Sequence, residues 1–136
     1  YRISHELKQA LQEKVWLKSG GYLVIQPTEA MVVVDVNTGK AIKGKRVEEH
    51  FLRINREAAI EIGRQLRLRN LSGIIIVDFI DMKEPESEAI LMKEMEQVLR
   101  KDRIKAMVVD MTKLHLVEIT RKKVRKPLYE QWKESI

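Results

Sequence analysis

The chain's 136 residues suit one domain, and a hydrophobic share of 44% is enough for a core, which excludes wholesale disorder. Lysine and arginine outnumber aspartate and glutamate 26 to 20, and the net charge of +6 favours a polyanionic partner such as nucleic acid. Cysteine is absent, no apolar run reaches membrane-spanning length and no signal-peptide pattern opens the chain, which excludes disulfides, thiolate metal sites and a membrane span within this sequence.

Residues 1–17 place Ile3, Leu7, Ala10, Leu11 and Val15 on one face, which predicts an opening helix ended by Ser19-Gly20-Gly21. Because the chain begins on Tyr1 directly in this pattern, it reads as a piece of a longer protein. Residues 22–25 predict a strand that turns at Pro27-Thr28 and returns through residues 31–36 as a β-hairpin. Residues 31–40 read MVVVDVNTGK, a buried valine-rich strand that reaches Asp35 and Asn37 before a turn. Alternation along a strand points Asp35 and Asn37 the same way. Residues 40–46 form an exposed basic loop. Residues 47–69 are the strongest helix, with Val47, Phe51, Ile54, Ala58, Ile62 and Leu66 at the helical period.

Residues 73–80, GIIIVDFI, predict a second central strand ending near Asp78, and its unbroken apolar run predicts burial on both faces. Strand, helix and strand in this order make a βαβ unit. Pro85 opens another helix over 86–100, lined inwardly by Met92, Met95 and Leu99. Residues 105–110 and 114–120 are further strands. A basic run over 121–126 follows, and Pro127 starts a short last helix with Tyr129 and Trp132. The expected fold is α/β, a mixed β-sheet flanked by helices.

If the two central strands are parallel neighbours, Asp35 and Asp78 meet at one edge of the sheet. Two carboxylates and the Asn37 amide suit a hard divalent cation such as magnesium, which prefers oxygen ligands and keeps several waters. The structural alternative is an Asp that caps a helix or forms a turn. Asp110 also ends a strand but has no D-x-N partner. Arg64, Arg67 and Arg69 either complement a helix C-terminus or form a phosphate-binding stripe. Arg121, Lys122 and Lys123 either belong to a solvated run or contact phosphates. His5, His50 and His115 have no metal-ligand spacing, and there is no Walker loop, nucleophile elbow or dinucleotide fingerprint.

Seven segments in order carry a resemblance: VWLKSGG at 15–21, TEA at 28–30, VDVNTG at 34–39, EAA at 57–59, RQLRLR at 64–69, IVDFIDM at 76–82 and LVEITRK at 116–122. Together they resemble the ribonuclease E/G family of bacterial endoribonucleases. The resemblance implies a single DNase I-like catalytic subdomain over residues 1–136, cut from a longer protein. It implies that Asp35 and Asp78 hold a magnesium ion supported by Asn37. It further implies cytoplasmic cleavage of single-stranded RNA to 5′-phosphate and 3′-hydroxyl ends, in rRNA processing and mRNA decay. The family's RNA-binding, 5′-sensing and RNase H-like parts are not in this sequence, and neither is its zinc link. A zinc site and any homo-oligomer are therefore expected only in the longer protein. Where the family commonly has an acid, this chain has Gln26. Two other readings stand beside this one: an inactive nucleic-acid-binding module of the same fold, and a metal-dependent phosphohydrolase of small phosphates.

Overall fold

A computed structural model describes residues 13–40 and 42–123. The described elements are β1 (Lys14–Trp16), β2 (Tyr22–Pro27), β3 (Val32–Asn37), α1 (Val47–Leu68), β4 (Gly73–Asp78), α2 (Pro85–Arg100), β5 (Ala106–Met111) and β6 (Val117–Arg121). The six strands form one mixed sheet in the order β1-β2-β3-β4-β6-β5. Only β3 and β4 run parallel; every other pairing among the described residues is antiparallel. The α/β class with a mixed sheet is therefore as the sequence predicts.

Several elements follow from local chemistry. The β2–β3 hairpin closes through Thr28, whose hydroxyl donates to the Met31 carbonyl (2.7 Å) and accepts from the Met31 N–H (3.0 Å). Parallel pairing of β3 with β4 requires a crossover, and the amphipathic α1 provides it. Its inward positions Ile54, Ala58, Ala59, Ile62 and Leu66 are buried. Pro85 occupies the first turn of α2, where a missing N–H costs nothing. The two helices pack on each other, and Gly63 permits the approach: a methyl there would run into the Val98 side chain.

One core joins the helices to one face of the sheet. Leu23, Ile25, Val34, Ile75, Val77 and Ile119 pack against Ile62, Leu66, Leu91, Met95 and Leu99. Alternation sends the intervening residues to the other face. There Ile74 is 39% exposed and Met107 50%, so among the described residues β4 is covered on one side only. The expectation of burial on both faces is corrected accordingly. A second correction concerns residues 14–16, which form an edge strand paired with β2 rather than the end of a helix. The rest of the predicted opening helix, residues 124–126 of the basic run and the helix after Pro127 lie outside the described residues. No described helix is long and apolar enough to cross a membrane.

Candidate active site

The parallel β3–β4 pair sets Asp35 directly opposite Asp78. Adjacent strands lie about 4.8 Å apart, so both carboxylates share one row at the end of the sheet. Val32, Val34 and Val36 turn into the core, which leaves Asp35 and Asn37 on the open face. In β4 the same alternation buries Ile75 and Val77 and exposes Asp78. Asn37 donates from Nδ2 to Asp35 Oδ2 at 3.3 Å, fixing the D-x-N pair as a unit.

The Asp78 carboxyl is held above the usual carboxylate range, first by partial desolvation and then by the charges of Asp35 and Asp81. No lysine or arginine forms an ion pair with Asp35 or Asp78 among the described residues. The row therefore carries uncompensated negative charge. No cluster of three or more His, Cys, Asp or Glu side chains able to hold a metal occurs among the described residues. Two carboxylates and an amide are nonetheless a fitting donor set for magnesium, which commonly binds through one or two carboxylates and retains waters.

The segment after Asp78 is anchored from behind by two interactions that the sequence analysis does not anticipate. Phe79 enters the core, only 6% exposed. Asn55, wholly buried on α1, clasps the Ile80 peptide: its Nδ2 donates to the Ile80 carbonyl (2.9 Å) and its Oδ1 accepts from the Ile80 N–H (2.9 Å). The signal was present, because Asn55 lies four residues after Phe51 and three before Ala58 on the inward stripe. A polar residue there needs a buried partner. Glu48, in the first turn of α1, accepts from the backbone N–H groups of Lys83 (2.8 Å) and Glu84 (3.1 Å), which ties the start of α2 to the same end.

The basic residues singled out from sequence lie elsewhere. The α1 helix starts after β3 and ends before β4, so its last turns sit at the opposite end of the sheet from the carboxylates. Gly73, at that far end, is about 17 Å from Asp78 at roughly 3.3 Å per strand residue. Arg64 pairs with Glu61 there at 3.4 Å, and Arg69 donates from Nε to Gln65 Oε1 at 2.8 Å. Arg121, opposite Gly73 in the register, is only 3% exposed. Its guanidinium donates to Asp102 (2.9 and 3.3 Å), Asn70 Oδ1 (3.1 Å) and the Leu71 carbonyl (2.9 Å). Its burial and this network run against the expected role as an RNA contact: four of its five N–H donors are bound within the protein. Lys122 and Lys123 are exposed, beside it at the far end.

Comparison with known proteins identifies the family of the chain. A profile of the Ribonuclease E/G family matches residues 1–124. The chain is 47% identical to Ribonuclease G of Salmonella typhimurium (strain SL1344) over 125 residues, 92% of this chain and 26% of the relative. It is 46% identical to Ribonuclease G of Escherichia coli (strain K12) over 128 residues, 94% of this chain and 26% of the relative. To Ribonuclease E of a Nostoc species it is 43% identical over 130 residues, 96% of this chain and 19% of the relative. The chain thus spans between a fifth and about a quarter of the length of these relatives. A family profile spanning most of the chain, together with relatives above 40% identity, shows that the chain belongs to the Ribonuclease E/G family.

Proposed function

We propose that this chain is the DNase I-like catalytic subdomain, residues 1–136, of a magnesium-dependent endoribonuclease that cleaves single-stranded RNA to 5′-phosphate and 3′-hydroxyl ends. The observation that carries the proposal is the registration of Asp35 against Asp78 on one open row of the sheet. The relatives' names, Ribonuclease G and Ribonuclease E, supply the substrate class.

Asp35 and Asp78 would hold the ion, and Asn37 would orient the Asp35 carboxylate through its amide. Bound there, magnesium supplies water activation and offsets charge developing on the phosphoryl oxygens. Asn55 and Phe79 keep the Asp78 segment in place, so the carboxylate is presented without a search over conformations. Any zinc site or homo-oligomer belongs to the longer protein, and the setting is cytoplasmic RNA processing and decay.

The test is cleavage of a labelled single-stranded oligoribonucleotide over a magnesium titration, in a protein of the relatives' full length. Asp35→Asn and Asp78→Asn should each abolish cleavage with the circular dichroism spectrum intact. Wild-type cleavage by Asp78→Asn at low magnesium would remove Asp78 from the ligand set and bring Asp81 or Asp110 forward. Cleavage of small phosphate esters but not RNA would overturn the substrate class.

A further inference from the structure

A cleft of about 440 Å³ opens at the carboxylate end of the sheet. It is bordered by Ser19, Thr38, Lys40, Lys43, His50 and Arg53. Thr38 follows directly on Asn37, so in the chain the cleft begins one residue beyond the D-x-N pair; it lies on the α1 side of the sheet end, and Asp35 and Asp78 face the open side. Its walls are the glycine turn before β2, the loop leaving β3 and the first turns of α1.

Three features give it chemistry. Its lining includes two lysines, an arginine and a histidine, and no aspartate or glutamate among the described residues. Lys40, Lys43 and Arg53 form no ion pair among the described residues, whereas Arg56, Arg64 and Arg121 each have a carboxylate partner. Arg53 also borders a second groove with Glu49 and Glu57, and neither closes on it. The walls are fixed as well: Gly39, at φ +77°, lies so close to Gly20 that a methyl on it would run into the Gly20 carbonyl. Cations without a carboxylate partner around a recess of this size, with Ile42 and Ile54 in its lining, suit an anion, and a phosphodiester has that charge. The neighbouring row of carboxylates repels phosphate and needs a cation before it can accept one.

We propose that this cleft binds a backbone phosphate of single-stranded RNA next to the one cleaved at Asp35 and Asp78, with Lys40, Lys43 and Arg53 as its contacts. The proposal rests on the ribonuclease reading and extends it. It gives the substrate strand a direction across the molecule, from the carboxylate row over the β3–α1 loop. It also assigns phosphate contact to this end of the sheet rather than to the arginines at the far end.

The test is fluorescence anisotropy of a short labelled single-stranded oligoribonucleotide against the chain over a series of salt concentrations, with circular dichroism as the folding control. Three proteins are compared: wild type, Lys40→Gln/Lys43→Gln/Arg53→Gln, and the far-end variant Arg64→Gln/Arg67→Gln/Lys122→Gln. The cleft variant should lose about tenfold in affinity. Its log–log salt slope should flatten by about 0.7 for each phosphate that is no longer neutralised. The far-end variant should stay near wild type. Wild-type affinity and slope in the cleft variant, or a larger loss in the far-end variant, would overturn the cleft while leaving the ribonuclease reading intact. Wild-type chain that neither binds nor, in the full-length context, cleaves RNA would overturn both. The single variant Lys43→Gln, on an exposed loop residue, gives the same reading in smaller measure if the triple variant misfolds.

Discussion

Asp78 is unfavourable to the free protein because its charge has carboxylate neighbours and no cation partner among the described residues. Burial and the charges of Asp35 and Asp81 raise its proton affinity on folding. The native state then binds more protons at this group than the unfolded chain, so its contribution to stability falls as pH rises. The fall lies between the ordinary carboxylate value and the higher folded-state one. Asp78→Asn should therefore raise the melting temperature at neutral pH in a chelator, with the gain vanishing in acid. Magnesium should raise the melting temperature of wild type by mass action and leave the variant nearly unchanged. Thermal melts across pH, with and without magnesium, check both outcomes. Asn55 makes the opposite contribution, since both its amide groups are matched to one buried peptide. Asn55→Ala would orphan the Ile80 N–H and carbonyl, at a cost of about 1–3 kcal/mol each if they stay dry. Urea denaturation should show the loss, and cleavage by the full-length protein should fall because the Asp78 segment is no longer held.

Among the elements, β3, α1 and β4 were legible because their patterns are local. A valine run ending in D-x-N, a 22-residue helical stripe and an isoleucine run each state their own period. β1 was not legible. It is three residues long, and Val15 also continues the helical spacing from Leu7 and Leu11. Its strand state comes from pairing with β2, which no local period reports. The insertion of β6 between β4 and β5 is non-local in the same way. Arg121 opens a run of five basic residues in six, which suggests a solvated stretch, yet alternation puts it on the core face with Val117 and Ile119. The side chain of its partner Asp102 is only 2% exposed. Burial alone would raise the Asp102 carboxyl, but hydrogen bonds from Arg121 and the Ile104 N–H, with the charges of Arg121 and Arg67, bring it below the usual range. A depressed carboxylate stabilises the fold above its unfolded-state value and loses that contribution as pH falls through the folded one. Asp102→Ala should cost about 3–5 kcal/mol at neutral pH by leaving a buried guanidinium uncompensated. Denaturation curves should show the gap narrowing in acid, where wild type loses the same charge.

At the scale of the whole molecule, the sheet has two ends with different work. One end is closed by Arg121, Asp102 and Asn70 into a network around the buried Arg121 guanidinium, and its contribution is to stability. The other presents two carboxylates and an amide at the ends of β3 and β4 and a cationic cleft beside them, which is where the proposed chemistry lies. The face carrying the carboxylates also leaves Ile74 and Met107 partly open among the described residues. Holding reacting groups in place can account for roughly 7–11 kcal/mol of a barrier. On the proposed reading, a chain covering 26% of the Ribonuclease G relatives contributes the Asp35–Asp78 pair and a neighbouring phosphate contact toward that sum. The 136-residue chain should therefore bind magnesium and RNA weakly and cleave RNA far more slowly than a protein of the relatives' full length. The deficit should appear in both kcat and KM, because orientation and affinity are lost together. Steady-state cleavage of one oligoribonucleotide by both proteins over a range of substrate concentrations, at saturating magnesium, is the measurement. Equal turnover would mean that the carboxylate row and its cleft orient the strand unaided, and that the rest of the longer protein acts only in choosing which RNA arrives.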